Sequence, residues 1–337
     1  MPFRDRIRSV TLKDIPDIRV IYTGGTIGSE AKDGRVAPAS KASELARRWL
    51  AEGGRARITE DRPVEILSEN ISQDALDRMA AAVRRAVSEG ADGIVLTHGT
   101  DTLDFTANYF GRVFGDLPVP LVLISALYPL SDPRSNGFVN FSGAMTFIRD
   151  CGIGGAFVSN ANPGKVCRIY LAERLLPADA DGVFRGYGGA IGRISDSRYV
   201  HDEKAFPIAE LKARASRPAV PEGLCRDILV IQARALMDFS VYDLARRPRA
   251  VVVGLYHSGT ICTEGDEGSF VPFAERCAEL GIPVVLSGIR RGANVYASAH
   301  KIPASCLIAY DRSLGMTIVE VMSSLHLGLD LKRVFAE

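Results

Sequence analysis

The chain lacks any apolar run long enough to span a bilayer, since no stretch approaches the roughly 18–20 residues that a transmembrane helix needs. Its N-terminus alternates charged with apolar residues and has no signal-peptide core. Neither charge dominates, because 41 basic and 40 acidic residues give a formal net charge of +1. We therefore expect no membrane partner, no nucleic-acid partner and a cytoplasmic location.

Signatures of metal sites and of several enzyme classes are also missing. The six cysteines are scattered without a C-x-x-C pair, and the five histidines form no H-E-x-x-H motif. We therefore expect free thiols and no metal site. The sequence has no G-x-G-x-x-G, no G-K-[ST] and no G-x-S-x-G, which argues against dinucleotide binding, phosphoryl transfer and nucleophile-elbow hydrolases.

What the sequence does contain is an alternation of strand-like and helix-like segments. The predicted strands are Ile18–Tyr22, Pro63–Leu67, Gly93–Thr97, Val119–Ile124, Gly155–Ser159, Asp227–Gln232, Ala250–Leu255 and Pro283–Ser287. The predicted helices are Gln73–Ser88, Thr102–Phe114 and Thr317–Leu327. This order predicts an α/β fold with a doubly wound, mainly parallel sheet.

The 337 residues allow two domains, and proline and glycine punctuate the chain between residues 203 and 225. We predict a larger N-terminal catalytic domain over residues 1–205, a linker over 206–225, and a smaller C-terminal α/β domain over 226–337. The segment Gly164–Gly189 is less regular and is interpreted as a hairpin followed by a loop.

Two turns rich in threonine and glycine each follow a strand-like run. The first turn is Thr23–Gly28 (TGGTIG), and the second turn is His98–Thr102 (HGTDT). Glycine allows a sharp turn at the carboxyl end of a buried strand, where open α/β sheets bind ligands. Hydroxyls and one carboxylate there indicate a shared polar site for nucleophilic hydrolysis of a small substrate.

Each polar residue of this region has a structural alternative. Thr26 is either a nucleophile, which would need a base to accept its proton, or part of a structural turn. Asp101 either caps the next helix, binds a substrate ammonium group or orients a base. His98 is interpreted as a packed turn residue, while Ser72 and Gln73 either cap a helix or bind a substrate carboxylate.

These motifs together resemble a known family. The first and second turns resemble both signatures of the bacterial-type L-asparaginase/glutaminase family, and Ser72–Asp74 (SQD) matches it as well. The general pattern of Arg134–Asn140 and of Gly315–Leu327 is also similar. The resemblance covers nearly the whole chain in order.

The resemblance implies a two-domain α/β fold and hydrolysis of a side-chain amide to acid and ammonia. Thr26 would attack the amide carbon and form an acyl-enzyme that water then releases. Thr100 and Asp101 match the second threonine and its acidic partner, and Asp101 would also bind the substrate α-ammonium group. Ser72 and Gln73 would hold its α-carboxylate.

The same resemblance implies that the protein needs no metal and no organic cofactor. Its partner would be a small amino-acid amide. It also implies a homo-oligomer, usually a homotetramer built from close dimers, in which the neighbour's C-terminal domain closes each site.

The sequence departs from the family in the proton relay and in the lid. Arg174 falls where the family has a catalytic lysine, with Arg168 matching an upstream arginine and Lys165 nearby as a substitute. Arginine stays charged in proteins and cannot relay a proton as lysine can, so either the proton route differs, Lys165 substitutes, or amidase activity is weak. If Arg174 blocks the relay, Arg174→Lys should raise turnover. The lid stretch Ser29–Ser40 lacks the usual tyrosine, and Arg35 falls near its place.

A C-terminal loop departs as well, since the family's G-x-G-N is His257–Thr260 (HSGT) here. Preference among asparagine, glutamine and other small amides therefore stays open. Two further functions remain as alternatives. One is an ammonia-producing amidotransferase subunit acting with a partner on charged tRNA, although few residues precede the first strand for that branch's extra domain. The other is a binding or regulatory protein that kept the pocket without turnover.

Overall fold

The structure, a computed structural model, describes residues 15–32, 35–38, 43–162, 166–214, 220–265, 268–292 and 296–336. The chain divides into two compact units, Met1–Val220 and Pro221–Glu337. The division falls inside the stretch predicted as a linker, and the first part of that stretch forms a helix of the first unit.

The first unit contains a large sheet flanked by helices. Its strands are β1 (Asp17–Ile21), β2 (Ser29–Lys32), β3 (Arg35–Pro38), β4 (Arg57–Asp61), β5 (Gly93–Thr97), β6 (Pro120–Ile124), β7 (Gly155–Asn160), β8 (Arg168–Leu171), β9 (Gly192–Ser195) and β10 (Arg198–His201). Its helices are α1 (Ser43–Ala51), α2 (Gln73–Ser88), α3 (Leu103–Val113), α4 (Gly137–Cys151) and α5 (Ile208–Arg214). β2 and β3 form a separate antiparallel hairpin.

The strand order of the large sheet is β10-β9-β8-β7-β6-β5-β1-β4. Strands β4, β1, β5, β6 and β7 are parallel, and β8, β9 and β10 add antiparallel pairs at one side. We call the end where the parallel strands finish the carboxyl edge, and the other end the amino edge. From β1 the chain goes outward to β4 and then returns to β5 on the other side of β1. The switch point of the topology therefore lies between β1 and β5, where such sheets bind ligands.

Burial explains why the central strands could be predicted. Every residue of β5 and β6 is buried, as expected for parallel strands covered by helices on both faces. α2 begins and ends where its apolar spacing and the Ser72 N-cap predict.

One predicted strand was wrong. Residues Pro63–Leu67 form no strand, and β4 (Arg57–Asp61) pairs with β1 instead, with Ile58 opposite Ile18. β4 is an edge strand with a largely exposed, charged sequence, so it gives no apolar signal. The predicted stretch keeps a single bridge, between Ile66 and Gly24, which places it close to the first turn.

The second unit is a smaller α/β layer. Its strands are β11 (Ile228–Gln232), β12 (Ala250–Gly254), β13 (Val284–Ser287) and β14 (Leu307–Ala309), and its helices are α6 (Phe270–Glu279), α7 (Leu314–His326) and α8 (Leu331–Val334). The four strands lie side by side in chain order and are all parallel. The two sheets confirm the predicted α/β fold with a larger, mainly parallel sheet and a smaller second one. No helix in the described ranges is long and apolar enough to cross a membrane.

Candidate functional site

The first and second turns lie side by side at the switch point of the large sheet. The Thr23 hydroxyl donates to the Thr97 carbonyl at 2.5 Å, and the Thr23 amide donates to Thr97 Oγ1 at 3.3 Å. These bonds join the carboxyl ends of strands β1 and β5. A Cβ atom on Gly25 would lie 2.5 Å from the Gly99 nitrogen, so the two backbones touch. Only glycine allows this approach, because Gly25 also has φ of +74°.

A third loop completes the arrangement. The Gly25 amide donates to the Ile66 carbonyl at 2.9 Å, and the Ile66 amide donates to the Thr23 carbonyl at 3.0 Å. Ser68 is buried, and its Oγ would lie 2.4 Å from a Cβ atom on Gly99. The Thr102 hydroxyl donates to the Ser68 carbonyl at 2.8 Å. The loop after β4 therefore packs against both turns.

Thr26 is the first residue of a short 3-10 turn, Thr26–Gly28, and is half-buried. The backbone of β2 continues directly from this turn and pairs with β3 through residues such as Lys32 and Arg35. The stretch predicted as a lid thus begins as an antiparallel hairpin. Its residues 33, 34, 39 and 40 lie outside the described residues.

Thr100 and Asp101 occupy the turn between β5 and α3, with Thr100 half-buried and Asp101 exposed. The N-cap residue of α3 is Thr102, and Asp101 does not take that position. The helix-capping interpretation of Asp101 is therefore not realised. Its carboxylate remains on the exposed side of the turn, where it can meet a cationic group.

His98 has the structural role that the sequence suggests. It is buried, its Nδ1 lies 2.8 Å from the Gly99 carbonyl, and its Nε2 lies 3.0 Å from the Thr106 hydroxyl. The carbonyl can only accept, so Nδ1 carries the proton and Nε2 accepts from Thr106. Burial lowers the pKa of His98, which keeps the ring neutral. The ring braces the second turn against α3.

Ser72 and Gln73 hydrogen-bond within α2. Ser72 is the N-cap, and its Oγ accepts from the Ala75 amide at 3.2 Å. Gln73 Nε2 donates to Asp77 Oδ1 at 2.6 Å. The helix-capping role of Ser72 is thus seen directly, whereas Gln73 forms a side-chain bond to the residue four positions later in the same helix. Ser68, four residues before Ser72, packs against Gly99 of the second turn, and sequence analysis missed it because no motif marks it.

Arg174 is not where the sequence register put it. It belongs to the 3-10 turn Ala172–Arg174, which follows β8. β8 runs antiparallel to β7, with Arg168 opposite Asn160 at the carboxyl edge and Leu171 opposite Phe157 toward the amino edge. Arg174 therefore lies toward the amino edge, away from Thr100 and Asp101, and the relay assignment is corrected. Lys165 lies outside the described residues.

A buried asparagine network that sequence analysis did not identify holds the neighbouring strand ends. Asn140 Nδ2 donates to the Ser125 carbonyl at 2.7 Å, and its Oδ1 accepts from the Ala161 amide at 2.6 Å. Asn160 Oδ1 accepts a further bond from Asn140 at 3.2 Å. The segment Arg134–Asn140, noted only for its family-like pattern, thus ties the ends of β6 and β7 together.

In the second unit, the loop His257–Thr260 follows β12 and forms a closed turn. The Gly259 amide donates to the Tyr256 carbonyl at 2.8 Å, and the Tyr256 amide donates to the Thr260 carbonyl at 3.0 Å. This turn lines a cavity of about 740 Å³ together with Arg290 and Tyr310. Among the described residues of the chain, no group of histidine, cysteine, aspartate and glutamate could hold a metal ion.

Comparison with known proteins gives a consistent picture. Residues 17–182 match the family model described as "Asparaginase, N-terminal". The fold is similar to that of the thermostable L-asparaginase from Thermococcus kodakarensis, with a TM-score of 0.76 and 22% identity over 95% of this chain and 96% of that one. It is also similar to L-asparaginase I from Vibrio cholerae, with a TM-score of 0.76 and 20% identity over 96% of each chain.

Curated relatives carry a different name. A glutamyl-tRNA(Gln) amidotransferase subunit from Halobacterium salinarum is 36% identical over 129 residues, which is 38% of this chain and 30% of that protein. The protein of the same name from Methanosphaera stadtmanae is 34% identical over 131 residues, again 38% of this chain and 30% of that protein. The match thus spans under a third of these relatives' length.

Proposed function

We propose that the protein hydrolyses the side-chain amide of L-asparagine, or of a related small amino-acid amide, because residues 17–182 match the family model described as "Asparaginase, N-terminal". The observation that carries this proposal is the backbone contact between Gly25 and Gly99 at the switch point of the sheet. It brings a threonine turn and a threonine–aspartate turn together where α/β sheets bind ligands.

In the proposed reaction, the Thr26 hydroxyl oxygen attacks the amide carbon and loses its proton. Thr100 and Asp101 provide the hydroxyl and the carboxylate that accept and transfer this proton. The carbon–nitrogen bond breaks, and the leaving nitrogen takes up a proton to depart as ammonia. Water then attacks the Thr26 ester and releases the acid, which restores the hydroxyl.

We propose that the substrate's α-ammonium and α-carboxylate groups bind at the second turn. The exposed Asp101 carboxylate binds the α-ammonium group of the substrate. The sequence assigns the α-carboxylate to Ser72 and Gln73, whereas the packing of Ser68 against Gly99 makes Ser68 the better placed hydroxyl. The Arg174 position supports no part in the reaction.

A second function is favoured by the names of the curated relatives. As an ammonia-producing amidotransferase subunit, the chain would act with a partner on charged tRNA and would release ammonia mainly in its presence. A third, in which the pocket binds an amide without turnover, predicts stabilisation by the ligand alone.

The test is ammonia release from L-asparagine, L-glutamine and D-asparagine by the wild type and by Thr26→Ala. We expect release from at least one amide and its loss by more than about a thousandfold in Thr26→Ala, because the nucleophile is removed. Release that survives in Thr26→Ala would contradict the assigned nucleophile. Thermal stabilisation by an amide without ammonia release would favour the binding function.

A further inference from the structure

Three arginine side chains lie together toward the amino edge of the large sheet. Arg112 is in the last turn of α3, Arg174 is in the 3-10 turn after β8, and Arg214 ends α5. A Cβ atom on Gly111 would lie 2.5 Å from both the Cβ and the amide nitrogen of Glu173, so α3 packs directly on this turn. Three separate elements thus bring positive charge to one place.

Between these elements lies a cavity of about 120 Å³, which we call the arginine cavity. Arg112, Glu173 and Arg214 supply its charged lining, and the start of β7 at Gly155 and Leu171 of β8 supply part of its wall. The space exceeds that of a single water molecule and suits a small polyatomic ion. It lies at the opposite edge of the sheet from the two turns of the proposed active site.

Hydrogen bonding in the arginine cavity is incomplete on the cationic side. Arg214 forms an ion pair with Glu173, lies 3.7 Å from Glu210, and has a side chain only 14% exposed. The Nε–H group of Arg214 is nevertheless buried without a hydrogen-bond acceptor among the described residues. A buried donor without an acceptor is unfavourable, so an added acceptor would stabilise this site.

The charged residues of the arginine cavity also favour an added anion. Arg112 and Arg214 contribute two positive charges to the lining of the cavity, while Glu173 contributes one negative charge. Burial, and then the charge of Arg214, lowers the pKa of Arg174. Arginine remains charged in proteins, so the repulsion between the two guanidinium groups persists, and a bound anion would relieve it.

We propose that the arginine cavity is a binding site for a small oxyanion of the phosphate or sulfate type. Guanidinium groups are suited to such ligands because their planar N–H donors match oxyanion geometry. Arg112 and Arg214 donate to the ion from two sides. The site is separate from the proposed amide hydrolysis, and its failure would leave that proposal standing.

The first test measures phosphate binding to the full chain by isothermal titration calorimetry and by thermal unfolding. Sodium chloride at matched ionic strength serves as the control, because salt alone screens the repulsion among the arginines. We expect saturable binding, with unfolding temperature rising further in phosphate than in chloride. Equal shifts in the two salts, without saturable heat, would overturn the proposal.

The second test locates the site with matched variants. Arg112→Gln is expected to weaken phosphate binding about tenfold or more, since it removes a charged donor. Glu173→Gln is expected to tighten binding several-fold, because it removes the competing carboxylate. Arg78→Gln, an exposed arginine of α2, is the control and should bind phosphate as the wild type does.

Arg112→Gln and Glu173→Gln test the same cavity independently, so either variant is informative if the other fails to fold. Arg214→Gln would leave Glu173 without its ion-pair partner. The site is therefore tested with Arg112→Gln and Glu173→Gln instead. Ammonia release by Arg112→Gln should equal that of the wild type, since the cavity lies at the other edge of the sheet. Phosphate binding unchanged in both Arg112→Gln and Glu173→Gln would place the ion elsewhere and overturn the assignment.

Discussion

Glycine residues decide whether the two threonine turns can meet. Gly25 and Gly99 allow backbone contact between the turns, and Gly99 in turn lies against Ser68. The hydroxyl of Thr23 is used to join β1 and β5, which separates its structural role from that of Thr26 three residues later. Within one short motif, therefore, the first threonine builds the site and the second is available for chemistry.

Gly25→Ala tests this contact at the residue scale. Alanine at φ of +74° costs about 1 kcal/mol, and its Cβ would also collide with backbone atoms of the second turn. We expect a loss of about 2–4 kcal/mol in the free energy of unfolding, measured in urea, together with loss of ammonia release.

Gly53→Ala is the matched control for that experiment. Gly53 has φ of +93°, but a Cβ there would meet no atom within 4 Å. It should therefore show only the backbone cost of about 1 kcal/mol and full activity. If Gly25→Ala were no worse than Gly53→Ala, the close contact between the turns would be wrong.

Among the elements of secondary structure, β8 has the clearest consequence for mechanism. Its antiparallel pairing with β7 sends Arg168 to the carboxyl edge and carries Arg174 toward the amino edge. There the Arg174 guanidinium lies 5.2 Å from the centre of the Phe206 ring, a favourable cation–π contact. Arg174 thus belongs to the packing of the sheet's far side.

Arg174→Lys tests this placement. The sequence predicts a gain in turnover if Arg174 blocks a proton relay, whereas the structure predicts a turnover within about twofold of the wild type. Stability should fall by about 1 kcal/mol, because lysine loses the planar stacking over Phe206. The measurement is kcat for ammonia release alongside urea unfolding. A several-fold rise in kcat would restore the relay hypothesis.

At the scale of the whole molecule, each unit is an α/β layer whose central parallel strands are buried. The first unit holds the two turns, and the second holds the loop His257–Thr260 beside a cavity. The family resemblance assigns a neighbour's C-terminal domain to the closing of each site, so the active form is proposed to be a homotetramer or dimer.

Light scattering coupled to size exclusion tests the assembly. Given the 36.4 kDa chain, we expect the particle mass to correspond to a dimer or a tetramer. Specific activity should fall on dilution to the concentration at which the assembly dissociates, because the site would then be incomplete. A monomer that keeps full turnover would contradict the shared site.

The predictability of the fold varied with burial. β5, β6 and α2 could be predicted because their residues show continuous apolarity or helical spacing that local sequence displays. β4 could not, since an exposed edge strand of charged residues is held by its pairing with β1 and carries no apolar pattern. The Asn140 network was missed for a similar reason, because its partners lie 15–21 residues away.

The sequence by itself determined the α/β class, the two threonine turns and the family they resemble, because glycine positions and apolar runs are local properties. Only the tertiary structure decided which loops touch. It placed Ser68 against Gly99, assigned Ser72 to a helix cap, and moved Arg174 to the far edge of the sheet. Strand direction and pairing set these distances, and both arise from contacts between segments far apart in the chain.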